Sequence, residues 1–219
     1  MLSNSYKRYL ARASETYAAQ LHELRPSNDP NGAISYLREH GVDFGIAAKY
    51  DLGYVARPIP GDERFTGMLS IPYVTSDGVR ALKFRSLSAG GSKYAQHNGQ
   101  QGRLFNAPAY FEAGTTIGIS EGEMDAIAAT EYLEVPTLGV PGANGWKNSW
   151  KLIFKDFTTV LVFADGDQPG RDFADEVATA IGWRARIIQC PDFEDVSSMA
   201  ASGRASELLA KISTRNEEE

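Results

Sequence analysis

Apolar positions along this chain follow two different rhythms, and the change between them comes close to residue 113. Upstream, Tyr6, Leu10, Ala13, Tyr17, Leu21 and Leu24 recur at helical spacing, which predicts an amphipathic helix over about Ser5 to Leu24. The turn-rich run Pro26 to Gly32 stops it. A short helix is expected from about Gly32 to His40, with Ile34 and Leu37 facing inward, and another from Asp43 as N-cap to about Tyr50. Met68 to Val74 and Val79 to Leu87 read as strands, joined by the hairpin signal Ser76-Asp77-Gly78. Lys83 and Arg85 share one face of the second strand, and Ala89 to Ser92 reads as a flexible loop leading to Lys93-Tyr94.

Downstream, short apolar runs alternate with helical stretches. Strands are expected over Thr115 to Ser120, Val135 to Gly139, Thr158 to Ala164 and Arg184 to Gln189. Helices are expected over Met124 to Tyr132, over Trp146 to Phe154, and after Pro169-Gly170, where Phe173, Val177 and Ile181 form one face closed by Gly182. Further helical turns follow Pro191 to Asp195 and end near Ile212. Such alternation predicts an α/β fold, a parallel sheet with helices on both faces over residues 113–213, preceded by an α+β subdomain over residues 1–112. The Glu-rich residues 214–219 are expected to form a disordered acidic tail.

Composition narrows the function classes. With 219 residues, 42% of them hydrophobic and 23% charged, the chain has ample material for a core and the balance of a water-soluble globular protein. No apolar run approaches membrane-spanning length, so no membrane association is expected and the default location is the cytoplasm. One cysteine, Cys190, excludes an internal disulfide and a cysteine-based zinc finger within the chain. A net charge of −6 argues against a uniformly basic coat for nucleic acid. The charge is uneven, however. Val79 to Phe111 holds no Asp or Glu but contains Arg80, Lys83, Arg85, Lys93 and Arg103, the candidate footprint for a polyanion. An ordinary solvated strand face accounts equally well for Lys83 and Arg85.

The candidate chemistry lies at strand ends. Asp165-Gly166-Asp167 closes the run Thr158 to Ala164, where side chains two apart point the same way. Taken alone, the tripeptide reads as a solvated turn. Yet Glu121 closes the first strand of the same set, and Glu194-Asp195 follows the fourth. In a parallel sheet these ends share one edge, the edge where open α/β sheets bind ligands. Several carboxylates there would repel, and a hard divalent cation relieves that cost. Oxygen ligands without His or Cys favour Mg2+ (or Mn2+). Asp125, one helical turn after Glu121, could orient it or be a solvated helix carboxylate.

Two ordered motifs carry a resemblance. Gly118 to Ala126, GISEGEMDA, resembles the EGxxDA signature of Toprim domains, and Phe163 to Arg171, FADGDQPGR, resembles their DxDxxG/R signature. That domain occurs in DnaG-type primases, phage and mitochondrial primase-helicases, topoisomerases and some nucleases. The resemblance implies a Toprim Rossmann-like sheet, with Glu121 as the acid/base or metal-side glutamate and Asp165 and Asp167 as metal ligands, joined by Asp195 or Glu194. Upstream, Tyr36 to Val42 through Asp51 to Tyr54 is similar to the YLxxRG…GY opening of the primase core. Ile71-Pro72, Phe84-Arg85, Ser92-Lys93-Tyr94 and Arg103 to Asn106 are similar to its later elements. The loop PGANGW resembles the phage and mitochondrial branch. One departure is Val196-Ser197 after Asp195, where bacterial primases often carry a second aspartate.

The implied activity is that of a DNA primase, a nucleotidyltransferase making short RNA primers from ribonucleoside triphosphates on a single-stranded DNA template. Lys83, Arg85, Lys93 and Arg103 would then contact nucleic-acid or nucleotide phosphates. A separate helicase or zinc-binding protein is the expected partner, since one cysteine and three scattered histidines offer no paired zinc ligands. Two alternatives stand beside this reading: a Toprim nuclease using the same metals, and a non-catalytic single-strand-binding replisome module.

Overall fold

The computed structural model describes residues 2–88, 92–142 and 145–214. The expected flexible loop at Ala89-Gly90-Gly91 and all but Thr214 of the expected tail lie outside these residues. The chain divides into two compact units, one of Met1–Arg38 with Val42–Gln101 and one of Glu39–Gly41 with Gly102–Glu219.

The first unit is an antiparallel sheet backed by a long helix. Helix α1 (Asn4–Glu23) starts at Ser3, whose hydroxyl accepts a hydrogen bond from the Tyr6 amide. Two short helices follow, α2 (Ala33–Glu39) and α3 (Phe44–Lys49), the latter capped by Asp43 as the sequence predicts. The sheet runs β1 (Gly53–Tyr54), β2 (Leu69–Thr75), β3 (Gly78–Arg85) and β4 (Tyr94–Gln96), each antiparallel to the next. Strands alternate their side chains, so β3 presents two faces. Leu82 and Phe84 pack on Leu10, Ala13 and Tyr17 of α1, while Lys83 and Arg85 take the opposite face. Beneath the helix, the fully buried carboxylate of Asp62 accepts from Tyr17 Oη at 2.7 Å and Tyr9 Oη at 2.5 Å, and lies 2.6 Å from His97 Nε2. Burial alone would raise the Asp62 carboxyl. The hydrogen bonds from His97, Tyr9 and Tyr17 outweigh it and hold the group below the usual carboxylate range.

The second unit is the parallel α/β layer. After the short helix α4 (Ala109–Glu112) come β5 (Thr116–Ser120), α5 (Glu123–Tyr132), β6 (Thr137–Gly139), β7 (Thr159–Ala164), α6 (Gln168–Ile181) and β8 (Ala185–Gln189), then α7 (Val196–Ala201) and α8 (Ala205–Ser213). The sheet order is β6-β5-β7-β8, all parallel. Burial on both faces shows in β7. Val160, Val162 and Ala164 join the cluster containing Phe173, Val177 and Ile181 of α6. Leu161 and Phe163 join the opposite cluster with Ala128 and Ala129 of α5 and Met199 of α7. This is the continuous apolar run expected of a central parallel strand.

One element differs from expectation. The stretch read as a helix from Trp146 to Phe154 is instead a 3-10 segment, Asn148–Asp156. Trp150, Ile153 and Phe154 still face the core, as the apolar spacing predicts, while Leu152 is largely exposed; nothing in the structure explains the tighter winding.

Candidate active site

The order β6-β5-β7-β8 places a topological switch point between β5 and β7. From β5 the chain crosses through α5 to β6 on one side, and β7 continues through α6 to β8 on the other. The crevice beyond the carboxyl ends of two such strands is where open α/β sheets take ligands. Glu121 follows the last residue of β5, and Asp165 follows the last residue of β7. The two sequence motifs therefore flank the crevice.

Two glycines let the Asp165 loop close up. A Cβ on Gly166 would lie 1.7 Å from the Pro191 carbonyl oxygen, so the turn after β8 packs directly on the Asp165-Gly166-Asp167 backbone. Hydrogen bonds secure that contact, from Gly166 N to Glu194 O at 2.7 Å and from Phe193 N to Gly166 O at 3.1 Å. A Cβ on Gly170 would lie 2.6 Å from Asp165 Cβ, so the first turn of α6 comes hard against the aspartate. The glycine of the second motif is thus required by close approach.

The acidic side chains play different parts. Asp167 is exposed and caps α6, accepting from Gly170 N at 2.8 Å. Asp195 caps α7 through Ser198 N at 2.7 Å and also accepts from Ser197 Oγ at 2.9 Å. Glu194 pairs one oxygen with Arg204 at 2.5 Å, while its Oε2 is buried without a hydrogen-bond partner. Asp165 Oδ1 is likewise buried without one. Burial first, then the charges of Asp125, Glu121, Asp195 and Asp167, push the Asp165 carboxyl up to about 9. Asp125 also rises above the carboxylate range, through burial and then Asp195, with Glu121 adding to it. Its hydrogen bonds with Ser197 oppose the shift.

Asp125 is therefore not a solvated helix carboxylate. It is buried, and Ser197 N donates to its Oδ1 at 3.0 Å, tying α5 to the start of α7. Among the described residues, no group of three or more His, Cys, Asp or Glu side chains already surrounds a common point as a metal-holding set. The carboxylates sense one another's charge across the crevice, but two of them are engaged as helix caps.

The basic candidates lie apart in sequence. Lys83 Nζ stands 3.8 Å from the centre of the Tyr94 ring, and Arg85 lies 4.9 Å from Tyr36 and 5.0 Å from Tyr94 while donating to Tyr94 Oη at 2.9 Å. Lys93, exposed, stands 5.9 Å from the same ring. Lys83 itself is buried, so the plain solvated strand face gives way to a basic–aromatic cluster. Arg103 belongs to the other unit. It precedes Phe105, which pairs antiparallel with Gly139 at the end of β6, so Arg103 lies towards the carboxyl edge of the sheet. Lys147, which sequence reasoning missed, donates to Gly102 O at 3.0 Å beside it. Nothing in its local sequence marks it, because only the fold brings it to Gly102.

Residues 118–200 match the Toprim-like family model. The Gene 57 protein of Mycobacterium phage D29 is 39% identical over 153 residues, covering 68% of this chain and 99% of that protein. The chain belongs to the Toprim-like family. Among solved structures, this Toprim protein matches the RNA polymerase domain of Mycobacterium tuberculosis primase DnaG with a TM-score of 0.77 at 19% identity, covering 98% of this chain and 84% of that one. It matches the DnaG primase catalytic domain bound to ssDNA with a TM-score of 0.70 at 20% identity, covering 95% and 80%. The fold of the Toprim protein is thus that of the DnaG catalytic core. Among its described residues no helix is long and apolar enough to cross a membrane.

Proposed function

We propose that this chain is the catalytic core of a DNA primase, joining ribonucleotides on single-stranded DNA. The observation that carries the reading is the pair Glu121 and Asp165 on either side of the β5–β7 switch point, with a buried Asp165 oxygen that takes no hydrogen bond. The likeness to DnaG catalytic cores, one of them bound to ssDNA, supports the choice of reaction and template.

The residues fit a divalent cation. Their donors are all oxygen, a buried Asp165 oxygen lacks a partner, and burial together with neighbouring carboxylates raises the Asp165 carboxyl, a cost that a cation would relieve. Asp165 would hold Mg2+ (or Mn2+) with Glu121, Asp167 and Asp195 nearby. A cation held there would supply positive charge for a triphosphate and its leaving pyrophosphate. Asp125 keeps α5 and α7 in register and so positions the loops that carry Glu121 and Asp195. Lys83, Arg85 and Lys93 bind phosphates of the strand, with Tyr94 fixing their heads, and Arg103 meets phosphate at the sheet edge. Helicase and zinc-binding partners belong to the same proposal.

Asp165→Asn tests the reading. The variant removes the charge that a metal compensates without changing the side chain's size. It folds, and it makes no primers from ribonucleotides on a single-stranded template. Near-normal synthesis by this variant at ordinary magnesium overturns the assignment.

A further inference from the structure

Phe193 stands out within the loop that carries Glu194 and Asp195. It is 95% exposed and adopts φ 65, the left-handed region that a residue with a Cβ enters at a cost. A singly exposed apolar side chain needs no explanation by itself. Here three facts combine. The backbone is strained to hold the ring outward, where glycine would sit without strain. The loop is fastened rather than loose: Phe193 N donates to Gly166 O, Gly166 N donates to Glu194 O, and Arg171 donates to Gly166 O at 3.2 Å while standing 3.8 Å from Asp192. And Gly166 is the residue between Asp165 and Asp167, so the backbone of Phe193 is fixed directly beside the acidic loop, and its side chain is exposed there.

We infer that Phe193 is a stacking platform for an unstacked nucleobase of the substrate held at the acidic centre. The inference rests on the primase reading and deepens it, by assigning a base contact to a site otherwise described through charge. An aromatic face accepts any base, because every base has a π-face, and the contact confers no sequence preference. A fastened backbone lowers the cost of binding, since only the side-chain rotamer, and not the loop, has to be ordered when the base arrives. The base has two possible sources, the single strand and the nucleoside triphosphate, and binding measurements separate them.

The test uses the full chain with Phe193→Ala, Phe193→Gly and Phe193→Trp. One arm measures binding of an oligo-dT strand without nucleotide, by fluorescence anisotropy over a salt series. The other measures magnesium-dependent binding of a fluorescent ribonucleoside triphosphate. The Ala and Gly variants are expected to lose about tenfold or more in affinity for one of the two ligands, the size of a lost base–aromatic stack. The salt slope stays unchanged, because no phosphate contact is removed. The Trp variant retains wild-type affinity. The Gly variant melts no lower than wild type, which separates lost stacking from lost folding. Loss with the strand alone assigns a template or primer base, and loss with the triphosphate alone assigns the incoming base. Wild-type affinity of the Ala and Gly variants for both ligands overturns the inference, as does full rescue by Phe193→Leu. Those results leave the primase reading standing if wild-type protein still makes primers. Wild-type protein that binds its strand with the expected Phe193 dependence yet makes no primers overturns that reading instead.

Discussion

Asp165 sits where burial and neighbouring charge act together, and its effect on the fold should depend on pH. A carboxyl whose folded pKa is raised contributes its stability below the unfolded value near 4 and loses it as pH rises towards about 9. Metal-free protein should therefore melt at a lower temperature at pH 8 than at pH 5, and magnesium should recover much of the difference. Asp165→Asn should shrink the difference, because the ionising group is gone. Scanning calorimetry across that range checks it, and an Asp165→Asn protein with the wild-type pH dependence would contradict it. Gly166→Ala belongs to the same scale. The added methyl would meet the Pro191 backbone carbonyl at 1.7 Å, which cannot swing aside as a side chain could, so a loss of about 2–4 kcal/mol is expected in denaturant titration. A variant as stable as wild type would mean that the turn after β8 does not pack on this loop. Asp165 and Glu121 were legible in the sequence because each ends an apolar strand run. Asp125 was not, since its spacing from Glu121 suits an exposed helix position equally well and only the docking of α7 buries it.

Elements show where periodicity informs and where it fails. The β7–α6 unit could be read directly, since a β-branched run, a turn and a four-residue apolar repeat leave few alternatives. The two-residue β1 and three-residue β4 are too short to carry a period, and they exist only because β2 and β3 offer ladders to pair with. The Asp62 network was invisible for a related reason. Its partners lie 53, 45 and 35 residues away along the chain and meet only once α1 docks on the sheet. Asp62→Ala should cost about 3 kcal/mol by leaving two tyrosine hydroxyls and His97 without their acceptor, as read by thermal unfolding. A loss below about 1 kcal/mol would show that water replaces the carboxylate easily. On the opposite sheet face, Lys83→Ala and Arg85→Ala should weaken single-stranded DNA binding and flatten its salt dependence, each by roughly one phosphate contact. An unchanged salt slope in both variants would remove these residues from the strand-binding surface.

At the scale of the whole molecule, the alternation of apolar strand runs and helices predicts the parallel layer, and the family match agrees with the motifs that end two of its strands. Strand order did not follow from the pattern, because any right-handed arrangement of four βαβ strands satisfies it. That order matters for function, since it puts the switch point between the strands ending in Glu121 and Asp165. The chain's net charge of −6 also fits such a design, with cations concentrated in an acid-free stretch and carboxylates gathered at one sheet edge. The central claim is the reaction, and the product identifies it most directly. Incubating the protein with single-stranded DNA, magnesium and labelled ribonucleotides, then resolving both strands by gel, should yield new short oligonucleotides from wild type and none from Asp165→Asn, with the template intact. A cut template, or bound template with no new strand under conditions that support a DnaG primase, would contradict the account.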